Sequence, residues 1–77
     1  MKIKRLAPEW YRLDHPNSSY YADIQKVDYR FWQGSVREKN TNTEVAHTEF
    51  FSRLADVRQE AERLVADLAQ SEEGPGN

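Results

Sequence analysis

The chain has 77 residues, no cysteine and a formal net charge of −2. That length makes one domain that buries only about 60% of its unfolded surface, and the absence of cysteine excludes a disulfide staple or a thiolate zinc site. Two histidines leave little for a histidine-based metal centre, so stability has to come from packing, with nine aromatic side chains as the main source. No metal and no cofactor is expected.

The opening stretch from Met1 to Leu6 is too polar for the apolar part of a secretory signal, and no long apolar run follows. The expected setting is cytoplasmic, with no membrane contact. Residues 1–50 carry eight basic and seven acidic side chains, whereas residues 51–77 carry three arginines against six acids. The acid is therefore concentrated at the C-terminal end, and the overall charge weighs against nucleic acid as the main partner.

Ile3 to Leu6 reads as a short edge strand. Trp10 to Leu13 fits either a second piece of strand or a turn of helix, with Pro8 blocking a continuous element. Asp14-His15-Pro16-Asn17-Ser18-Ser19 is a loop. Tyr20 to Val27 is a strand with mixed alternation, and Asp28-Tyr29 is its connection to the next. From Arg30 to Glu38 the two-residue period sets Trp32, Gly34 and Val36 on one face and Phe31, Gln33, Ser35 and Arg37 on the other. Gly34 is expected to make room for a bulky ring or to form a bulge. Lys39 to Thr43 is a turn in which Asn tolerates positive φ, and Glu44 to Phe51 is the return strand.

Leu54, Val57, Ala61, Leu64, Val65 and Leu68 recur at gaps of three and four. They define one apolar face of a helix expected over 53–69, with Ser52 as its N-cap. Residues 71–77 are polar and rich in Gly and Pro, and read as a frayed tail beyond a single domain over 1–70. The expected architecture is α+β: an antiparallel sheet of three strands, four with the edge segment, and one C-terminal helix packed on one face.

Asp14 and His15 beside Ser18 and Ser19 invite a catalytic reading, but a short Pro-Asn loop offers little to orient a nucleophile and base, and the polar-loop reading is preferred. His47 with Glu49 lacks further metal ligands. The three glycines, at 34, 74 and 76, form no phosphate-cradling loop. No enzyme is expected. Asp56, Glu60, Glu62 and Asp67 lie on the outer helix face and suggest an acidic contact surface. A single helix covers one sheet face, which leaves Phe31, Arg37 and Tyr21 as candidates for partner contact on the other. The same face, with Lys26 and Arg30, would suit base stacking.

Trp32-Gln33-Gly34-Ser35-Val36, the Asn/Thr turn at 40–43, Phe50-Phe51-Ser52 and the helix through Ala55 and Ala61-Glu62 together resemble small ββα proteins of phages and mobile elements, over about residues 30–68. The resemblance implies one of two roles. The first is a phage-type inhibitor of the anti-CRISPR kind, short, acidic and non-enzymatic, which would act in the cytoplasm of a bacterial host on a nucleic-acid-handling complex. The second is the arm-DNA-binding domain of phage integrases. This chain departs from the second pattern, because its turn carries Lys39 alone between Glu38 and Glu44. The expectation is a protein-binding module, monomeric or homodimeric, with nucleic-acid binding as the alternative.

Overall fold

The computed structural model describes residues 1–73. Five strands precede one helix: β1 (Lys2–Ala7), β2 (Trp10–Asp14), β3 (Tyr20–Lys26), β4 (Trp32–Glu38), β5 (Glu44–His47) and α1 (Leu54–Glu73). The strands form one antiparallel meander in the order β1-β2-β3-β4-β5. The α+β class, the antiparallel sheet and the C-terminal helix are as expected; the strand number is five.

The additional strand comes from the N-terminal segment. Pro8 does not separate two unrelated pieces; Pro8-Glu9 is a two-residue turn that closes a hairpin, with Ala7 paired to Trp10. Proline pre-sets the φ needed at the second position of such a turn. Among the described residues only Asn42 has positive φ outside glycine, so Glu9 has negative φ and the turn cannot be a primed or type II one. Unprimed turns match the twist of a hairpin poorly, and a bulge between Arg5 and Ala7 takes up the difference.

Register explains the core. Ile3, Leu13, Ala22, Val36 and Ala46 form one row across all five strands, and Tyr11, Ile24 and Gly34 lie in the next. Both rows face α1. Leu13, Ala22, Ile24 and Val36 are fully buried against Val57, Ala61 and Val65. Each leucine, isoleucine or valine buried in this way contributes about 1.5–3 kcal/mol. Leu54, Leu64 and Leu68 flank the cluster, so the helical stripe reads as expected.

Gly34 makes room, but not for a ring. A Cβ there would stand 3.1 Å from the Thr48 methyl and 3.3 Å from the Ala61 Cβ, so the missing side chain lets α1 approach β4. The return strand also ends sooner than expected. It stops at His47, where buried Thr48 turns inward, and the Gly34 amide donates to the Thr48 hydroxyl at 3.0 Å. Pairing resumes only as a single bridge between Trp32 and Phe51. The turn between β4 and β5 does use an asparagine at positive φ: Asn42, at 60°.

The cap of α1 falls one residue beyond Ser52. The Arg53 carbonyl accepts from the amides of Asp56 and Val57, and Arg53 is thus the last non-helical residue. At its other end α1 continues through Glu73, so residues 71–73 of the expected tail are helical. Glu72 is the physical reason: it accepts hydrogen bonds from the Ser19 amide (3.1 Å) and hydroxyl, tying the last turn to the β2–β3 loop. The rest of the expected tail, 74–77, lies outside the described residues.

Candidate interaction surface

Three surfaces bear on function: the outer face of α1, the sheet face away from it, and the end of the sheet at the β3–β4 connection.

The outer face of α1 presents the four expected acids, but three of them are neutralised by arginines of the same helix. Arg63 bridges Glu60 at 2.5 Å and Asp67 at 3.1 Å, and Arg58 reaches Glu62 at 3.2 Å. Hydrogen bonding to Arg63 lowers the Glu60 carboxyl below its ordinary value, and the same bond raises Arg63. Such i,i+3 and i,i+4 pairs support a helix by a few tenths of a kcal/mol, roughly 0.2–0.5 each. Asp56 alone of the four has no ion pair among the described residues. The face is charged, but it is not a continuous acidic surface.

The face away from α1 is polar. Its middle row runs Lys4, Arg12, Asp23, Ser35, His47. Arg12 donates to both carboxylate oxygens of Asp23, at 2.7 and 3.2 Å, and its guanidinium lies 4.6 Å from the centre of the Tyr21 ring. The bond to Asp23 raises Arg12 further above its ordinary value despite partial burial. Neither Arg12 nor Asp23 stood out in the sequence, because their pairing depends on the register of β2 with β3 across the loop at residues 15–19.

Tyr21 lies on this face as expected, but it is buried beneath Arg12 and its hydroxyl donates to Asn42 Oδ1 at 2.7 Å. Arg37 donates to the Asn42 carbonyl at 2.8 Å. Glu44 accepts from the Ser35 hydroxyl at 2.6 Å, a bond that lowers its carboxyl. A platform for base stacking needs exposed aromatic rings in a basic groove, and here the Tyr21 ring is covered by an arginine that is itself paired with Asp23.

Phe31 is not on that face. The alternation that placed it there fails because β4 begins only at Trp32. Asp28 Oδ1 accepts from the amides of Arg30 (2.7 Å) and Phe31 (2.9 Å), and the Val27 amide donates to the Phe31 carbonyl at 2.9 Å. This Asx-type turn swings Phe31 to the end of the sheet, where its ring centre lies 6.3 Å from that of Phe50.

Val27, Asp28, Phe31 and Phe50 line a depression there. Tyr29 (80% exposed), Phe50 (59%) and Val27 (48%) are among the most exposed large apolar side chains of the chain. Arg30 stands between Tyr29 and Phe31, its guanidinium 5.3 and 5.6 Å from their ring centres. Sequence reading missed Val27, Tyr29 and Phe50 as a group because Phe50 comes from a different loop, about twenty residues on.

The catalytic alternative gains no geometry. Ser18 Oγ accepts from the Tyr20 amide, Ser19 Oγ donates to Glu72, and Asp14 pairs with Lys39 at 3.1 Å, so neither hydroxyl is bonded to His15. Among the described residues no three His, Cys, Asp or Glu side chains are placed to hold a metal, and no helix is long and apolar enough to cross a membrane. No family model matches the chain, no curated protein matches its sequence, and no solved structure matches it.

Proposed function

We propose that this protein is a non-enzymatic binding module that engages a protein partner through the aromatic end formed by Val27, Tyr29, Phe31 and Phe50, with Arg30 set among the rings. The observation that carries this reading is the exposure of Tyr29 and Phe50: Phe50 lies against Phe31 at the end of a turn fixed by Asp28, and Arg30 on that turn reaches the rings of both Phe31 and Tyr29. Aromatic residues and arginine dominate the energetics of protein interfaces, and large apolar side chains left together in water favour an interaction site.

An inhibitor of a nucleic-acid-handling complex, as in the anti-CRISPR proteins, is one form such a module takes, and the short acidic chain supports that narrower reading. The contact would then centre on the aromatic end, because Glu60, Glu62 and Asp67 are engaged with Arg58 and Arg63.

The test compares two variants in affinity capture from cells of the source. Tyr29→Ser/Phe50→Ser should lose the proteins retained by the native chain, while Glu60→Arg/Asp67→Arg should keep them. The reverse pattern would move the contact to the helix. Loss of oligonucleotide binding in the first variant, with no protein retained by either, would replace the reading with a nucleic-acid one.

A further inference from the structure

A second surface, separate from the aromatic end, lies along the outer edge of the sheet. β1 is an edge strand, and from Lys2 to Arg5 it pairs with β2 in unbroken register, so its other side carries unpaired backbone groups. The opposite edge is different. β5 has four residues, its pairing with β4 shifts between Ala46 and Glu44, and the strand ends at His47. Bulges and short strands blunt an edge, which leaves β1 as the edge able to accept another strand.

The charges on β1 say what kind of strand. Lys2, Lys4 and Arg5 are all exposed, and among the described residues none of them has a carboxylate within ion-pair distance. Asp14, opposite Lys2, is taken by Lys39 at 3.1 Å. Lys2 and Lys4 share the face away from α1 and stand about 7 Å apart by the two-residue rise of a strand. Arg5 and Ile3 point to the α1 side, where Ile3, Tyr11, Leu54, Ala55 and Arg58 border a shallow groove that the helix, packed mainly on β3 and β4, leaves uncovered.

We propose that β1 is a docking edge for an extended acidic segment of a partner protein, which adds to the sheet as a sixth strand. Backbone hydrogen bonds supply the attachment and the side-chain pockets the selectivity, as in other strand additions. The complementary pattern is an acid opposite Lys2, an apolar residue opposite Ile3 that reaches the groove, and acids opposite Lys4 and Arg5. A second copy of this chain does not fit: β1 against β1 would set lysines and arginines against one another, which is unfavourable across a sheet.

The experiment titrates the ¹⁵N-labelled full chain with a capped peptide, Thr-Glu-Glu-Val-Glu-Thr, while backbone shifts and amide exchange are followed. Three controls accompany it: the peptide with Lys for Glu, the acidic peptide N-methylated at alternate amides, and single-stranded oligo(dT). The expected result, at roughly millimolar peptide, is shifts centred on residues 2–6 with slowed exchange of β1 amides, and no such effect from any of the three controls. Lys2→Glu/Lys4→Glu should keep the native spectrum elsewhere and weaken the peptide by roughly tenfold or more. Equal binding of the N-methylated peptide or of oligo(dT) would show a simple polyanion site and overturn strand addition, as would the absence of shifts in β1.

Discussion

Gly34 and Ala61 face each other where the helix comes closest to the sheet: a Cβ on Gly34 would stand 3.3 Å from the Ala61 Cβ and 3.1 Å from the Thr48 methyl. The two small residues belong to different elements and 27 positions of sequence, yet together they set the depth at which α1 seats on β4. Val57 and Val65, one turn to either side of Ala61, reach full burial on that account.

Gly34→Ala is expected to destabilise the domain by about 1 kcal/mol. Overpacking of a tight contact costs about 1–3 kcal/mol, and the gain of replacing a strand glycine returns roughly 0.5–1 kcal/mol. Gly34→Val should cost more. In a double-mutant cycle with Ala61→Gly the two changes should couple, the pair losing less than the sum by about 0.5 kcal/mol or more. Urea unfolding midpoints measure all four proteins, and strict additivity would separate the two sites.

Of the ion pairs among the described residues, that between Arg12 and Asp23 has the best-buried carboxylate, with Asp23 only 8% exposed. Removing Arg12 strands the carboxylate. Arg12→Ala should lose about 2–3 kcal/mol, because an uncompensated charge is costlier than the pair is worth. Arg12→Ala/Asp23→Ala should recover part of that loss, and thermal unfolding of the single and double variants reads it directly. Equal stability of the two would show that Asp23 finds water or another donor.

The hydrogen bonds from Ser19 to Glu72 hold its carboxyl below the ordinary 4.5. A carboxyl depressed in the folded state gives stability that is fully present above its unfolded value and is lost as pH falls through the lower, folded one. The last turn of α1 should therefore loosen in the acid limb, below about pH 4.5. The protection of amides 68–72, taken relative to their intrinsic exchange at each pH, should fall there in the native chain. In Glu72→Gln that protection should already be low at neutral pH and change little on acidification.

The Asp28 side chain sets the geometry of the proposed contact, at whose depression it stands. Asp28→Ala removes the acceptor of the Arg30 and Phe31 amides. It should cost the exposed loop about 1 kcal/mol or less while weakening partner capture, whereas Asp28→Asn keeps an acceptor oxygen and should restore it. Capture that is unchanged in Asp28→Ala would mean that the ordered turn is not needed.

The helix was legible because Leu54, Val57, Ala61, Val65 and Leu68 repeat at helical spacing, and the β4–β5 hairpin because Trp32, Gly34 and Val36 alternate around an Asn/Thr turn. The β1–β2 hairpin was not, because Pro8 signals a break as strongly as a turn, and only the pairing of Ala7 with Trp10 distinguishes them. The interaction surface was less legible still. Spacing placed Glu60 and Asp67 on one helix face with Arg63 three and four positions from them, and Arg63 pairs with both; how far that pairing cancels an acidic contact surface is set by side-chain geometry, which spacing does not encode. Alternation carried Phe31 into a strand whose start the Asp28 turn delays by two residues, from Arg30 to Trp32. The meeting of Phe31 with Phe50 depends on the return of the chain after β5, which local periodicity does not encode.

The most direct measurement of the central claim is photo-crosslinking in the source cells, with a benzophenone amino acid placed in turn at Tyr29, Phe50, Gln25 and Asp67. The account predicts adducts to the same protein from positions 29 and 50, with none from the exposed sheet position 25 or the helix position 67. Adducts confined to 25 or 67, or adducts from 29 and 50 to nucleic acid in place of protein, would contradict it.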